Sequence, residues 1–217
     1  RRVVALCTGV FVLAEAGLLE GKRAATPWRP APAFKKRYPE LALRGYGADA
    51  PQVQAGDFDI IAQPLDFLGC NYYFRAWCSA EDPPRPAPAP LGTTDMDWEI
   101  YPEGLPELLL KLKAEYPLPP LYITENGMAR ADAVENGSVH DPERIAFVQA
   151  HLAALHRAMC EGVDVRGYFL WSLLDNFEWN SGYAKRFGIV HVDYETQRRT
   201  LKESARWYRD FLAHGAR

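Results

Sequence analysis

The sequence predicts an α/β fold built on a parallel sheet, and three observations indicate it. Short apolar strands alternate with amphipathic helices, which is typical of parallel strands joined by helical crossovers. Polar and aromatic residues cluster where the strands end, which is where such folds carry their chemistry. With 217 residues, 48% of them apolar and 24% charged, the chain is long enough for one sizeable core or two small ones.

The first two strand–helix units occupy the amino-terminal half. Residues 3–6 form the predicted opening strand, and a turn at Thr8-Gly9 leads into an apolar helix that ends at Leu19. The second strand spans residues 65–73. After a proline-rich loop, a helix begins at Pro106, with a predicted buried stripe of Leu105, Leu108, Leu109 and Leu112.

Two further units follow. The strand "PLYITEN" leads to a long helix that Asp141-Pro142 is predicted to cap and Gly162 to end, with a buried stripe of Ile145, Val148, Leu152, Leu155 and Met159. The fourth strand, "VRGYFLWSLLD", leads through a polar and aromatic loop to a last helix, with a buried stripe of Leu201, Ala205, Tyr208 and Leu212.

Four units are half of the eight that close a (β/α)8 barrel. The sequence therefore predicts a partial barrel of about four βα units. Half of a parallel barrel leaves two strand edges and an apolar inner face uncovered, so we expect a homo-oligomer to complete it.

Composition excludes several classes of partner. The net charge of −3, the pI near 6.0 and the lack of Lys or Arg runs argue against nucleic acid. No apolar run is long enough to span a membrane. The four cysteines show no Cys-x-x-Cys spacing, so we predict neither a metal site nor a disulfide frame, no cofactor, and a reducing, cytoplasmic location. Arg1-Arg2 and the apolar residues after them also imitate a signal peptide, which stays an alternative.

Glu125 is the main candidate for catalysis. It ends an apolar strand, so its carboxylate is expected over the mouth of the sheet. The alternative for an isolated glutamate at a strand end is a helix N-cap or a surface salt bridge. Further along, six aromatic or acidic residues lie within 17 residues: Trp171, Phe177, Glu178, Trp179, Tyr183 and Phe187. Aromatic faces stack on sugar rings and carboxylates accept hydrogen bonds from hydroxyls, although core packing explains some of these aromatics.

Four motifs give a more specific indication. They are "QPLDFLGCNYY", "DWEIYPEGL", "LYITENGMA" and "GYFLWSLLDNFEWNSGYAKRFGIVHVDYETQRRTLKESARWY". With them the chain, from about residue 37 to 217, resembles the carboxyl-terminal part of glycoside hydrolase family 1 β-glucosidases. The resemblance implies a retaining β-glycosidase acting on β-glucosides or β-galactosides, with Glu125 as the nucleophile that forms a covalent glycosyl-enzyme.

The resemblance also implies roles in substrate binding. Asn71 and Tyr73 would bind near the sugar 2-hydroxyl and the nucleophile, and Trp171 would form the platform under the sugar. Glu178 and Trp179 would hold the distal hydroxyls. Phe187 would pack near the 6-position, and Trp98 would line the leaving-group side. The family motif usually has glycine where this sequence has Asp97.

One catalytic element of the family does not occur in the sequence. A retaining glycosidase uses a second carboxyl group about 5–5.5 Å from the nucleophile as its acid and base, and the family supplies it from an Asn-Glu-Pro motif. No Asn-Glu-Pro occurs among the 217 residues. The resemblance therefore implies an impaired glycosidase, and the alternative is a non-catalytic, sugar-binding remnant.

Residues 1–38 resemble a different family. Their strand, Cys-Thr-Gly turn and helix are similar to the class I glutamine amidotransferase-like fold, where Cys7 would lie at the nucleophile elbow. This predicts a boundary between residues 1–38 and a glycosidase segment over residues 39–217. A Cys7-dependent amidase or stress-type protein is a third functional alternative.

Overall fold

The computed structural model describes residues 55–61, 63–75 and 89–214, together with the backbone of residues 23–24 and 42–43. The chain divides into two compact units. The larger comprises Leu65–Asn176 and Tyr183–Arg217, whereas Phe177–Gly182 belongs to the other unit, with Arg1–Pro64. The predicted opening strand and helix, Cys7 and the predicted boundary at residue 38 lie outside the described residues.

The elements follow in chain order. The strands are β1 (Arg23–Ala24), β2 (Ala42–Leu43), β3 (Leu68–Asn71), β4 (Leu121–Asn126), β5 (Val165–Leu170), β6 (Val190–Val192) and β7 (Arg199–Leu201). The helices are α1 (Asp57–Ile61), α2 (Gly104–Glu115), α3 (Pro142–Cys160) and α4 (Glu203–His214). None of the helices in the described ranges has the length and apolarity needed to cross a bilayer.

A parallel sheet with the strand order β3-β4-β5 organises the larger unit. Its register pairs Leu68 with Leu121 and Leu121 with Val165, so the three strands begin at one level. Helix α2 connects β3 to β4, and α3 connects β4 to β5, as the alternating pattern predicts. The unit is a partial (β/α) barrel, and the second, third and fourth predicted strand–helix units lie in it.

One face of the sheet packs against the helices. Leu105 and Leu109 of α2 and Leu155 of α3 are buried against Leu121 and Ile123 of β4. Burying each such side chain contributes about 1.5–3 kcal/mol of transfer free energy. This core fixes the outer face of β4, and the opposite face of the strand carries Tyr122 and Thr124, which are only partly buried.

The predicted helical stripes are only partly right. Leu108, Met159, Leu201 and Leu212 are exposed, and Leu201 belongs to β7 rather than to the last helix. On α3 the buried face instead includes His151, whose Nδ1 lies 2.8 Å from the Phe147 carbonyl oxygen. Burial lowers the pKa of His151 to about 4, so the ring is neutral in the core. The predicted residues Val148 and Leu155 do lie on this buried face, but counting apolar residues alone missed its polar members, Arg144 and His151.

Asp141 is also correctly placed before α3 but does not cap it. Its side chain makes no capping hydrogen bond to that helix. Instead, Asp141 Oδ1 accepts a hydrogen bond of 2.9 Å from the backbone N–H of Ser204, and Oδ2 accepts one of 2.6 Å from the Ser204 hydroxyl. Asp141 therefore satisfies a free N–H in the first turn of α4 and joins two distant helices.

A cluster of buried charged side chains lies next to the loops that follow the strands. Arg144 Nη2 donates to Asp132 Oδ2 over 2.9 Å, and Arg144 also pairs with Asp141. Lys202, which is fully buried, pairs with Asp132 and, over 3.0 Å, with Asp175. Burial lowers the pKa of Lys202, and the neighbouring Arg144 acts in the same direction, while the two aspartates oppose the shift.

We predict that Lys202→Met strongly destabilises the fold. The substitution leaves Asp132 and Asp175 buried with one cation fewer, and breaking a buried ion pair in this way costs about 3–5 kcal/mol. Urea unfolding followed by circular dichroism measures the change. The matched control is Lys111→Met on α2, which removes an exposed pair with Glu115 and should change the free energy of unfolding by about 1 kcal/mol or less. Equal losses in the two variants would contradict a structural role for the buried cluster.

Candidate active site

The carboxyl ends of β3, β4 and β5 meet at one edge of the sheet. The register pairs Asn71 with Glu125 and Asn126 with Leu170, and Trp171 follows directly after β5. Parallel strands carry their ends to the same side, so three motifs that are far apart in the sequence converge here.

Glu125 lies within β4, next to the last residue of the strand, and is partly buried. The Tyr73 hydroxyl donates a hydrogen bond of 2.6 Å to Glu125 Oε2. The backbone supports this contact, because the N–H of Tyr72 donates to the Glu125 carbonyl over 2.9 Å. Glu125 is thus held from two sides and is not the cap of a helix.

Asn71 lies beside the residue that precedes Glu125. Its Oδ1 accepts a hydrogen bond of 2.6 Å from the Thr124 hydroxyl, and the Asn71 side chain is exposed. This bond orients the amide, whose Nδ2 is a donor group. Asn71 can therefore present a hydrogen-bond donor at the strand ends.

Asn126 joins the three strand ends, and it is not among the predicted site residues. Its fully buried side chain donates from Nδ2 to the Tyr72 carbonyl over 2.7 Å and accepts at Oδ1 from the Tyr168 hydroxyl over 2.6 Å. Burial raises the pKa of the Tyr168 hydroxyl, which keeps it protonated as a donor. The signal for Asn126 in the sequence is its position directly after Glu125.

Three of the predicted residues form an aromatic cluster around this edge. The ring centroid of Tyr73 lies 5.4 Å from that of Trp98 and 6.0 Å from that of Phe187, and Trp98 and Phe187 are 6.0 Å apart. Phe187 is buried, and Phe74 stacks on Trp98 at 4.9 Å. The cluster presents aromatic surface next to the hydroxyl that holds Glu125.

A tight turn positions Trp98. The N–H of Asp97 donates to the Thr94 carbonyl, and the N–H of Thr94 donates to the Trp98 carbonyl, each over 2.9 Å. Asp97 has a φ of +57°, in the left-handed region that glycine adopts most easily. Aspartate tolerates this region better than most residues, so the turn can form with Asp97 at a position where glycine would also fit.

Glu99, the residue after Trp98, connects this turn to the segment that follows β3. Glu99 is buried and forms two hydrogen bonds with Arg75, of 2.7 Å from Nε and 3.0 Å from Nη2. The Arg75 guanidinium also lies 3.6 Å from the centre of the Tyr101 ring. No sequence pattern predicts this pair, because nothing in the sequence shows that residues 75 and 99 meet.

Trp171 is positioned through its backbone. Its N–H donates to the Asn126 carbonyl over 2.9 Å, and the Trp171–Ser172 peptide is cis. A Cβ atom on Gly127 would lie 1.8 Å from the Trp171 carbonyl oxygen. Only glycine fits at this close approach, which explains the glycine of the "ITENG" motif.

Glu178 and Trp179 belong to the other compact unit. A short 3₁₀ turn spans Trp179–Ser181, and the N–H of Glu178 donates to the Gly182 carbonyl over 2.7 Å. Within this segment the Glu178 side chain is buried and Trp179 is exposed.

Comparisons with known proteins agree with this geometry. The family model described as "Glycosyl hydrolase family 1" matches residues 22–216. Beta-glucosidase A of Thermotoga maritima is 47% identical over 183 residues, which cover 82% of this chain and 41% of the relative. A bifunctional beta-D-glucosidase/beta-D-fucosidase of Bifidobacterium breve is 44% identical over 211 residues, covering 86% of this chain and 46% of the relative.

Solved structures show the same relationship. The crystal structure of a beta-glucosidase from Exiguobacterium marinum aligns with a TM-score of 0.71 and 41% identity, covering 88% of this chain and 42% of that chain. The chain thus spans less than half the length of the relatives it matches. The matched region begins at residue 22, and the amidotransferase-like resemblance of residues 1–38 has no support in these comparisons.

We predict that Asp97→Gly preserves or increases stability. An L-residue in the left-handed region costs about 1–2 kcal/mol, and removing the Cβ removes this cost. The gain offsets the destabilisation that comes from the greater freedom of glycine in the unfolded chain. Asp97→Val should lower the free energy of unfolding by about 1 kcal/mol or more, because a β-branched residue fits this region worst. Thermal and urea unfolding measure both. The control is Met96→Gly, at a neighbouring position without positive φ, which should destabilise. A greater loss for Asp97→Gly than for Met96→Gly would contradict the role assigned to the turn.

Proposed function

Because the chain belongs to glycosyl hydrolase family 1, we propose that it supplies the nucleophile half of a retaining β-glycosidase site, with Glu125 as the nucleophile. The observation that carries the proposal is the hydrogen bond of 2.6 Å from Tyr73 to Glu125 at the converging strand ends. Relatives that are named as beta-glucosidases support β-glucosides as the substrate class.

The geometry supports a different role for each of the two carboxylate oxygens of Glu125. Tyr73 donates to Oε2, which stabilises its charge and fixes the carboxylate plane, so Oε1 is the oxygen that attacks the anomeric carbon. A bond forms between Oε1 and that carbon while the bond from the carbon to the leaving oxygen breaks. The product of this step is a glycosyl ester on Glu125.

The remaining roles follow the family resemblance. Asn71 offers its amide donor to the 2-hydroxyl, and Trp171 supplies the platform under the sugar ring. Trp98 lines the leaving-group side. By the same resemblance, Glu178 and Trp179 bind the distal hydroxyls and admit β-glucosides and β-galactosides, and Phe187 packs near the 6-position.

On its own, the chain lacks an effective carboxyl group to act as general acid and base. In a retaining glycosidase one carboxyl group protonates the leaving oxygen and later deprotonates the attacking water, and no Asn-Glu-Pro motif provides it here. The first step then requires a leaving group that is stable as an anion. The second step is slow because water attacks without a base, so the glycosyl ester accumulates.

The test compares substrates and nucleophiles with the purified chain. General acid catalysis contributes about 10²–10⁴-fold, so dinitrophenyl β-glucoside should be turned over while cellobiose should be slower by at least that factor. Azide is an anion that needs no base, so adding it should raise turnover about tenfold or more and give a β-glucosyl azide. Glu125→Gln should abolish the reaction, and Glu135→Gln, in an exposed turn, should retain it.

Each other outcome has a distinct meaning. Cellobiose hydrolysis as fast as that of the aryl glucoside would contradict the missing acid and base. Sugar binding without turnover, with or without azide, would favour the non-catalytic remnant. A cytoplasmic location and the amidotransferase-like role of Cys7 stay predictions that this experiment does not address.

A further inference from the structure

The tripeptide Glu-Asn-Gly occurs twice in the sequence, at residues 125–127 and 135–137. An asparagine before a glycine is chemically labile, because the backbone nitrogen of the glycine can attack the side-chain carbonyl carbon and no Cβ hinders the approach. The two asparagines have the same residue on either side. A difference in reactivity between them in the native protein therefore comes mainly from the fold.

The fold protects the first of these asparagines. The Asn126 side chain is fully buried, and its amide is bonded at both ends, from Nδ2 to the Tyr72 carbonyl and at Oδ1 to the Tyr168 hydroxyl. To react, it would have to leave both partners and turn toward Gly127, whose backbone lies against the Trp171 carbonyl. Buried hydrogen bonds are costly to lose without replacement, so Asn126 should react only when the strand ends separate.

The second asparagine lies at the tip of an exposed hairpin turn. Residues 133–137 are all exposed, and Glu135 and Ser138 pair through two backbone hydrogen bonds of 2.8 and 2.9 Å. Asn136 and Gly137 have φ values of +50° and +75°, the left-handed pair that is typical of a two-residue turn. A Cβ atom on Gly137 would have no atom within 4 Å, so there is room for the Asn136 side chain to close a ring.

This turn can open without disturbing the core beside it. Short exposed turns open at little free-energy cost, because their backbone hydrogen bonds are accessible to water. The residue after the turn, Val139, is fully buried, and its carbonyl accepts a hydrogen bond of 3.0 Å from the N–H of Glu203 in α4. The turn is therefore anchored where it ends, and Asn136 can move toward the Gly137 nitrogen while Val139 stays in place.

We propose that Asn136 is a site of spontaneous deamidation in the native protein and that the fold protects Asn126 from the same reaction. The Gly137 nitrogen forms a bond to Asn136 Cγ while the bond from Cγ to Nδ2 breaks. The proton that the Gly137 nitrogen loses leaves with Nδ2 as ammonia, and the product is a cyclic imide. Water then opens this ring at either carbonyl carbon, which gives aspartate or isoaspartate at residue 136.

The modification changes the charge of the turn and leaves the fold in place. Each conversion adds one negative charge to a chain whose formal net charge is −3, and the new carboxylate lies next to Glu135. Isoaspartate also lengthens the backbone of the turn by one carbon atom, which an exposed turn can accommodate. The inference does not depend on the proposed function, because Asn136 reacts or stays intact whether or not Glu125 is a nucleophile.

The test is peptide mapping by mass spectrometry of the chain aged in buffer and of the same chain aged in concentrated urea. In urea both asparagines should convert at similar rates, because their neighbours are the same. A folded domain exceeds its unfolded form by about 10³–10⁸-fold, so in buffer Asn126 should convert at least about 100-fold more slowly than Asn136. Isoaspartate should accompany aspartate at residue 136, and isoelectric focusing should show a more acidic form accumulating in step.

Two variants serve as controls. Gly137→Ala adds a Cβ that hinders the attacking nitrogen, so it should slow conversion of Asn136 and leave conversion of Asn126 in urea unchanged. Asn136→Gln, whose longer side chain closes a ring slowly, replaces it if circular dichroism shows that Gly137→Ala is unfolded, and the acidic form should then not accumulate.

Three results would overturn the proposal. The first is an Asn136 that stays an amide in buffer over the time in which the urea sample converts. The second is aspartate without isoaspartate at residue 136, which would exclude the cyclic imide. The third is conversion of both asparagines at equal rates in buffer, because the fold would then protect neither of them.

Discussion

The arrangement of the site depends on one buried amide. Asn126 bonds to the end of β3 through the Tyr72 carbonyl, to β5 through the Tyr168 hydroxyl, and to Trp171 through its own carbonyl. Each buried partner left unpaired would cost about 1–3 kcal/mol, so the three strand ends have little freedom to separate. Glu125 is adjacent in the chain, and its position relative to Trp171 follows from these bonds.

Asp175 stabilises the site by holding the loop that carries Phe187. It accepts hydrogen bonds from the backbone N–H groups of Gly188 and Val192, over 3.0 and 3.3 Å, while Lys202 and Arg186 compensate its charge. Phe187 precedes one of these N–H groups and belongs to the aromatic cluster beside Tyr73. The loop that carries the aromatic surface is thus fixed by buried charges and not by apolar packing alone.

The sequence predicted the parts of this structure that depend on local pattern. Strand–helix alternation predicted the parallel sheet, and strand ends predicted where Glu125 would lie. It missed the β6–β7 hairpin, whose strands have only three residues each, too few for a clear period. It also missed the pairing of Asp132 with Lys202, because 70 residues separate them and only the tertiary fold brings them together. The local cluster of aromatic and acidic residues that contains Glu178 and Trp179 indicated sugar binding in general, whereas the specific role of each residue came from the resemblance.

The central claim is that Glu125 forms a covalent bond to the sugar, and peptide mapping by mass spectrometry tests it most directly. An activated 2-fluoro β-glucoside needs no acid to leave and slows the second step, so the ester should persist on the protein. The account predicts one fluoroglucosyl group per chain, on the peptide that contains Glu125, and none on the Glu125→Gln variant. Label on a peptide without Glu125, or an active preparation that carries no label, would contradict it.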